Sequence, residues 1–389
     1  MPPAARPTLP HSSAPDPGRE LEELVASCLE AELRGDRAAV EALLAAEPTL
    51  AEAARAQLAD LASTGLLDPL PESIGPYRVR ELLGRGGMGE VYLAEQREPV
   101  QRLVAVKLVK RGMDTREILA RFAAERQALA RMNHPAIARV FDAGSTSDGR
   151  PYFAMEYVAG QPIQTYCDDR RLDTQQRLEL FLGVCEGVQH AHLKGILHRD
   201  LKPSNLLVAD VDGQASVKVI DFGIAKAIDE NLAGQTLHTA RGVLLGTPEY
   251  MSPEQATSEG ADLDLRSDVY SLGVVLYELL TGELPFAARR LRRDLPRLSE
   301  ILLSEEPPPP SRRVTDADPS TTQRLAQRRA TRGELIRTLR GDLDLIVLKA
   351  LARASARSAT RRSASSPRTC AAIWRTSPCS PPGPRASIA

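Results

Sequence analysis

The stretch His198-Arg199-Asp200-Leu201-Lys202-Pro203-Ser204-Asn205 puts a carboxylate, an ammonium group and a carboxamide into one short loop. That trio suits a site that steers a hydroxyl onto a phosphate. Asp200 would accept the hydroxyl proton, Lys202 would hold the phosphoryl group in transit, and Asn205 would ligate a metal ion. A further acid stands in Asp221-Phe222-Gly223, sixteen residues beyond Asn205 and at the end of the predicted strand Val217-Lys218-Val219-Ile220. At such a strand end Asp221 would hold Mg²⁺ between phosphates, with Asn205 at a second metal position.

These residues need elements to carry them. Val79 and Leu82-Leu83 lead as a strand into Gly84-Arg85-Gly86-Gly87-Met88-Gly89-Glu90-Val91. Glycines at this spacing form a tight turn whose backbone N–H groups can approach phosphates. The turn runs on into a second strand, Val91 to Ala94, where a dinucleotide-binding turn would open a helix. The next strand, Val104-Ala105-Val106-Lys107, ends in a lysine. Such a lysine can simply snorkel from a sheet edge, but its distance from the glycine turn makes Lys107 the candidate for the α- and β-phosphates. A helix predicted over 116–132 would bring Glu125 to Lys107. Strands are expected at 138–143 and 152–158. The second ends in Met155-Glu156-Tyr157-Val158-Ala159-Gly160, a hinge that can offer backbone groups to an adenine edge, with Met155 behind it. A long amphipathic helix over 178–193 then leads into the His198 loop.

Composition narrows the alternatives. The chain has 389 residues and a net charge of −1, so global electrostatics favours neither nucleic acid nor an anionic membrane surface. No apolar run approaches the roughly 20 residues that a spanning helix needs. Cys28, Cys167, Cys185, Cys370 and Cys379 form no C-x-x-C pair, which argues for reduced thiols in a cytoplasm over a disulfide framework or zinc site.

By these motifs the stretch 77–353 resembles the bacterial branch of the eukaryotic-type serine/threonine protein kinases. The resemblance rests on the glycine turn, Lys107, Glu125, His198–Asn205, Asp221-Phe222-Gly223, Ser252-Pro253-Glu254, Asp268–Gly273 and Leu280–Phe286. It implies an α+β bilobal fold: a β-rich N-lobe over about 77–158, a helical C-lobe over about 159–353, and MgATP between them. The nucleotide set it implies is Leu83, Gly84, Gly86, Gly89, Val91, Ala105, Lys107, Glu125, Met155, Glu156 and Val158. Asp200 and Lys202 would be catalytic; Asn205 and Asp221 would bind Mg²⁺, with Mn²⁺ as a substitute. It also implies that Asp268 anchors the catalytic loop from a buried helix, and that Lys202 marks Ser/Thr over Tyr specificity. Thr247 would help shape the substrate pocket. Arg199 would read a phosphate on Thr236 or Thr239 within the polar segment 224–246. Protein substrates with Ser/Thr acceptors follow, and a homodimer for trans-autophosphorylation fits. Two rivals share the fold: a non-catalytic scaffold and a small-molecule phosphotransferase, the latter disfavoured by Lys202, Thr247 and Ser252-Pro253-Glu254.

The flanks read differently. Residues 1–19 are a Pro/Ala/Ser-rich leader expected to be disordered, and 20–70 a small helical module interrupted at Glu47-Pro48, with Thr49 as a cap. Residues 287–340, with paired arginines and Pro307–Pro310, read as a solvated loop, with docking of acidic substrates as the lesser alternative. Residues 339–351 read as one amphipathic helix. Residues 354–389 contain six arginines and no acid or lysine. The family's closing helix and the Arg partner of Glu254 are missing there, so Glu254 is expected to lack its partner. A frame shift in a GC-rich gene is the expected cause of that composition, with a genuine disordered basic tail as the alternative.

Overall fold

The computed structural model describes residues 17–33, 37–63, 70–86, 89–110, 132–222, 247–256, 264–293, 297–315 and 321–352. Period-two alternation builds an antiparallel six-stranded sheet in the order β1-β2-β3-β4-β6-β5. Its strands are β1 (Ser73–Ile74), β2 (Tyr77–Gly86), β3 (Gly89–Gln96), β4 (Arg102–Val109), β5 (Val140–Ser145) and β6 (Pro151–Glu156). On β4 the alternation decides where the chemistry goes. Val104, Val106 and Leu108 join one apolar cluster with Ile74, Tyr77, Tyr92 and Tyr152. Ala105 and Val109 face the other way and join the main core with Phe153, Met155 and the helical lobe. Side chains two apart share a face, so Lys107 falls on the Ala105 side, toward the second lobe.

The second lobe begins with β7 (Gln161–Pro162) and α4 (Ile163–Asp169), followed by α5 (Thr174–His192). Asp173 opens α5 with a reciprocal capping box to Gln176, which satisfies two otherwise orphaned N–H groups. Strands β8 (Leu206–Val211) and β9 (Gln214–Val219) form a hairpin against β7. Its two-residue turn, Asp212-Gly213, has φ of 52° and 78°, the paired left-handed geometry whose twist matches the strands. Helices α6 (Pro253–Ala256) and α7 (Leu265–Thr281) follow. Leu272, Val274, Val275, Leu276, Tyr277, Leu279 and Leu280 of α7 are all buried, so α7 is wrapped on every side, as a central core helix must be.

Beyond α7 the chain is more ordered than its sequence suggested. In place of a solvated loop over 287–340 stand α8 (Ala288–Arg293), α9 (Leu298–Ser304), α10 (Pro310–Arg313), α11 (Thr321–Gln327) and α12 (Arg332–Leu339). Leu291, Leu298, Ile301 and Leu302 supply a local core. Arg328, read as solvated, is 1% exposed. Its guanidinium donates to the carbonyls of Leu279, Leu280, Glu278 and Arg324, and Arg177 reaches Leu279 O from the other side. Four carbonyls at a helix C-terminus lack intrahelical partners, and these two arginines answer that need for α7. The helix expected over 339–351 breaks at Gly341, where φ is 106°, and resumes as α13 (Asp342–Ala350).

At the other end of the chain, α1 (Pro17–Leu33), α2 (Arg37–Ala46) and α3 (Pro48–Ser63) pack around Leu24, Val25, Cys28, Ala31, Val40, Leu44, Ala54 and Leu58. Helix α1 starts at Pro17, inside the stretch read as leader. Helix α3 starts at Pro48, so Thr49 lies in its first turn and is not its cap. Other boundaries also moved: β5 begins at Val140 instead of 138, β6 ends at Glu156 instead of 158, and α5 begins at Thr174 instead of 178. Glu125, Gly223, Thr236, Thr239 and residues 353–389 lie outside the described residues.

Candidate active site

One hairpin delivers two of the candidate residues. Leu206 pairs with Val219 at the open end of β8–β9, and Ile220 N–H donates to Asn205 O at 2.9 Å. Asn205 and Asp221 therefore flank the same pair of strand ends. Val219 also exchanges backbone bonds with Ala136 and Ala138, at 2.8 and 3.0 Å, which ties the hairpin to the chain entering β5.

Asp200 sits in a compact polar cluster. Its Oδ2 is 2.8 Å from Lys202 Nζ and accepts from Asn205 Nδ2 at 3.1 Å, while Asp200 O accepts from the same amide at 2.7 Å. Lys202 Nζ also donates to Thr247 Oγ1 at 3.3 Å. Because Asn205 spends its NH₂ group on Asp200, its carbonyl oxygen is the atom left to face a cation. Across the cleft, Lys107 Nζ pairs with Asp221 Oδ2 at 2.9 Å. Oxygen donors of this kind, a carboxylate and a carboxamide, suit Mg²⁺.

The loop is held from beneath by Asp268 of α7, itself 1% exposed. Its oxygens accept His198 N–H at 2.8 Å, Arg199 N–H at 2.7 Å and His192 Nε2–H at 2.7 Å. Burial pushes the Asp268 carboxyl upward, but the bond from His192 and the neighbouring His198 outweigh it and leave the acid below its ordinary range. His198 is a second brace: Nε2 donates to Ile220 O at 2.9 Å, Nδ1 accepts from Asp200 N–H at 3.3 Å, and the ring lies 4.7 Å from that of Phe222. The backbone is strained on both sides of the brace. Arg199 and Asp221 have φ of 69° and 63°, a region costly for residues with a Cβ and concentrated at functional sites.

The glycine turn divides its labour. A Cβ on Gly89 would lie 2.1 Å from Leu108 O, whereas one on Gly84 would meet nothing within 4 Å. Gly89 is thus required by the close approach of β4, while Gly84 borders open space suited to a ligand. In register, Val91 faces Lys107 and Ala105 faces Met155; Ala105 and Met155 are buried, and Leu83 is 42% exposed. Glu156 holds the end of β6 by pairing with Lys218 at 2.7 Å and accepting Arg139 N–H at 3.1 Å. Beyond it, Gly160 N–H closes onto Val158 O at 2.9 Å, and a Cβ at Gly160 would strike Val208 O at 2.5 Å.

Glu254 accepts a hydrogen bond from Ser267 Oγ at 2.6 Å; the stretch expected to lack its arginine partner lies outside the described residues. Sequence reasoning missed two supports, His192 under Asp268 and Gln255, whose Nε2 donates to Arg199 O at 2.8 Å. Gln255 directly follows Ser252-Pro253-Glu254, so its neighbourhood was marked. His192 carries no local signal, because its partner is 76 residues away.

A strand-borne lysine facing a strand-end aspartate, over a loop clamped from a buried helix, defines the class: residues 77–332 match the protein kinase domain, and the chain belongs to the protein kinase family. Two similar relatives are bacterial. The chain is 40% identical over 311 residues to the serine/threonine-protein kinase pkn3 of Myxococcus xanthus, a match covering 78% of this chain and 55% of that protein. Against the serine/threonine-protein kinase PknB of Mycobacterium leprae it is 39% identical over 277 residues, covering 69% of this chain and 42% of the relative. The chain thus spans about half the length of these relatives. Among solved structures, a double mutant of the PknI kinase domain of Mycobacterium tuberculosis superposes with a TM-score of 0.51 at 27% identity, covering 73% of this chain and 91% of that one.

Proposed function

We propose that this chain transfers the γ-phosphoryl group of MgATP to serine or threonine hydroxyls of proteins. The observation that carries the reading is Asp200, a carboxylate fixed by Asn205 and paired with Lys202, which in turn reaches Thr247. In this reading Asp200 orients the acceptor hydroxyl and takes its proton. Lys202 neutralises the phosphoryl group in flight, and Lys107 positions the nucleotide phosphates against the glycine turn. Mg²⁺ held by Asn205 and Asp221 would screen the phosphate charge; Mn²⁺ has the same oxygen preference. Leu83, Val91, Ala105, Met155, Glu156 and Val158 would enclose the adenine. Positioning and charge neutralisation would supply most of the rate enhancement. Glu125 would orient Lys107, and phosphate on Thr236 or Thr239 would order the segment before Thr247 through Arg199.

We further read the chain as a helical module over 20–70 joined to a catalytic domain over 77–353, working in the cytoplasm. Purified chain incubated with radiolabelled ATP and Mg²⁺ should label itself or a generic acceptor protein, and an Asp200→Asn variant of the same circular dichroism should not. Equal labelling by both would remove Asp200 from its role, and absence of label from folded wild type would favour a scaffold.

A further inference from the structure

We propose that helix α8 selects acidic acceptors: the guanidinium groups of Arg289 and Arg293 draw peptides that carry Asp or Glu near the accepting hydroxyl. The inference rests on the kinase reading, because it takes the Thr247–Tyr250 segment as the place along which an acceptor chain lies. Residues 288–297 hold five arginines against the single acid Asp294, in a chain whose totals are 50 basic and 51 acidic residues. The excess is local and needs a local reason.

The helix is anchored and aimed. Leu291 is 1% exposed, in a cluster with Leu298, Ile301 and Leu302 against which Met251 and Phe286 pack, so the arginines on either side of it turn outward. Three of the five are occupied, Arg297 by Glu300 at 2.9 Å. Arg290 pairs with Glu305. Arg292 pairs with Glu249, whose side chain is 2% exposed and lies in the turn Pro248–Tyr250 directly after Thr247. That contact has two consequences. It joins α8 to the acceptor side of the site, through Glu249, Thr247 and Lys202 to Asp200. It also cancels the one carboxylate of that turn, which would otherwise attract basic peptides.

Arg289 and Arg293 are exposed and form no ion pair among the described residues. Four residues apart, they share one face of the helix. With Glu249 and Glu305 already matched by Arg292 and Arg290, this face keeps two guanidinium groups in excess among the described residues. Guanidinium forks bind carboxylates in bidentate fashion, so the complementary partner is a peptide carboxylate.

The test uses the full chain and two fluorescein-labelled serine peptides that differ only in having Glu or Gln on both sides of the serine. By fluorescence anisotropy the Glu peptide should bind roughly tenfold tighter at low salt, with the gap narrowing as ionic strength shortens the screening length. Arg289→Glu with Arg293→Glu should erase the preference, and Arg289→Lys with Arg293→Lys should keep most of it. Equal affinities in wild type, or a preference that survives the double Glu variant, would overturn the inference. Phosphotransfer to the same peptides is read in parallel. A binding preference without transfer sinks the kinase reading alone, and transfer without preference sinks the acidic-acceptor reading alone.

Discussion

The carboxylate of Asp268 lies 2.7 Å from Nε2 of His192 and, with its two oxygens, also takes the backbone N–H groups of His198 and Arg199. One buried acid thus joins the end of α5 to the loop that carries Asp200. Asp268→Asn replaces an acceptor oxygen by a second donor and must break at least one bond. We expect a loss of about 3–5 kcal/mol in stability, as for a broken buried pair, and a fall in turnover of about 10² from misplacement of the loop. The pH dependence has a defined sign. The folded-state value of Asp268 is depressed, so its contribution is fully present above the ordinary Asp value of about 3.9. It is lost as pH falls through the lower folded value. Thermal melts of wild type and Asp268→Asn should therefore converge below about pH 4; a gap unchanged down to pH 2 would refute the linkage.

Lys107 is held by Asp221 at 2.9 Å. Lys107→Met should leave circular dichroism unaltered and reduce phosphotransfer by about 10²–10³, the usual effect of deleting one charge-stabilising donor. Steady-state kinetics with saturating and limiting ATP checks it, and wild-type kcat/KM for ATP would exclude the assigned role.

Arg328 tests the core instead of the chemistry. Burial, and then the neighbouring Arg177, pull its guanidinium down to about 10 against the opposing pull of Asp168, so it stays charged at neutral pH. Arg328→Ala removes the side-chain donor to Leu280 O, leaves Leu279 O with Arg177 alone, and leaves Arg177 as the counter-charge of Asp168. A loss of about 3–5 kcal/mol is expected, read as a lower Tm and urea midpoint. The same midpoint as wild type would mean that water takes over the helix end at no net cost.

The site was more legible than the scaffold. Asp200, Lys202 and Asn205 lie within six residues, and Asp221 ends a strand with a β-branched pattern, so short-range pattern was enough to single them out. Lys107 was found from its place at a strand end and its distance from the glycine turn. The supports were harder: His192 and Asp268 meet across 76 positions, and only the resemblance pointed to Asp268. The segment 287–340 misled because arginine is read as solvated. Arg328 is buried for a reason invisible in sequence, namely the exposed carbonyl ends of a helix some fifty residues earlier. The Asp212-Gly213 turn was a strong hairpin signal that went unused.

That hairpin has an evolutionary corollary. Asn205 and Asp221 are matched at the open end of β8–β9, where Leu206 meets Val219, and the turn at Asp212-Gly213 lies at the opposite end. Residues can be added or removed at that tip in cross-strand pairs without disturbing the distance between the two side chains. A single-residue slip, by contrast, would turn every following side chain to the other face. Sequence spacing between the two is therefore a poor ruler for recognising this site in distant chains, and the parity of that spacing is a better one.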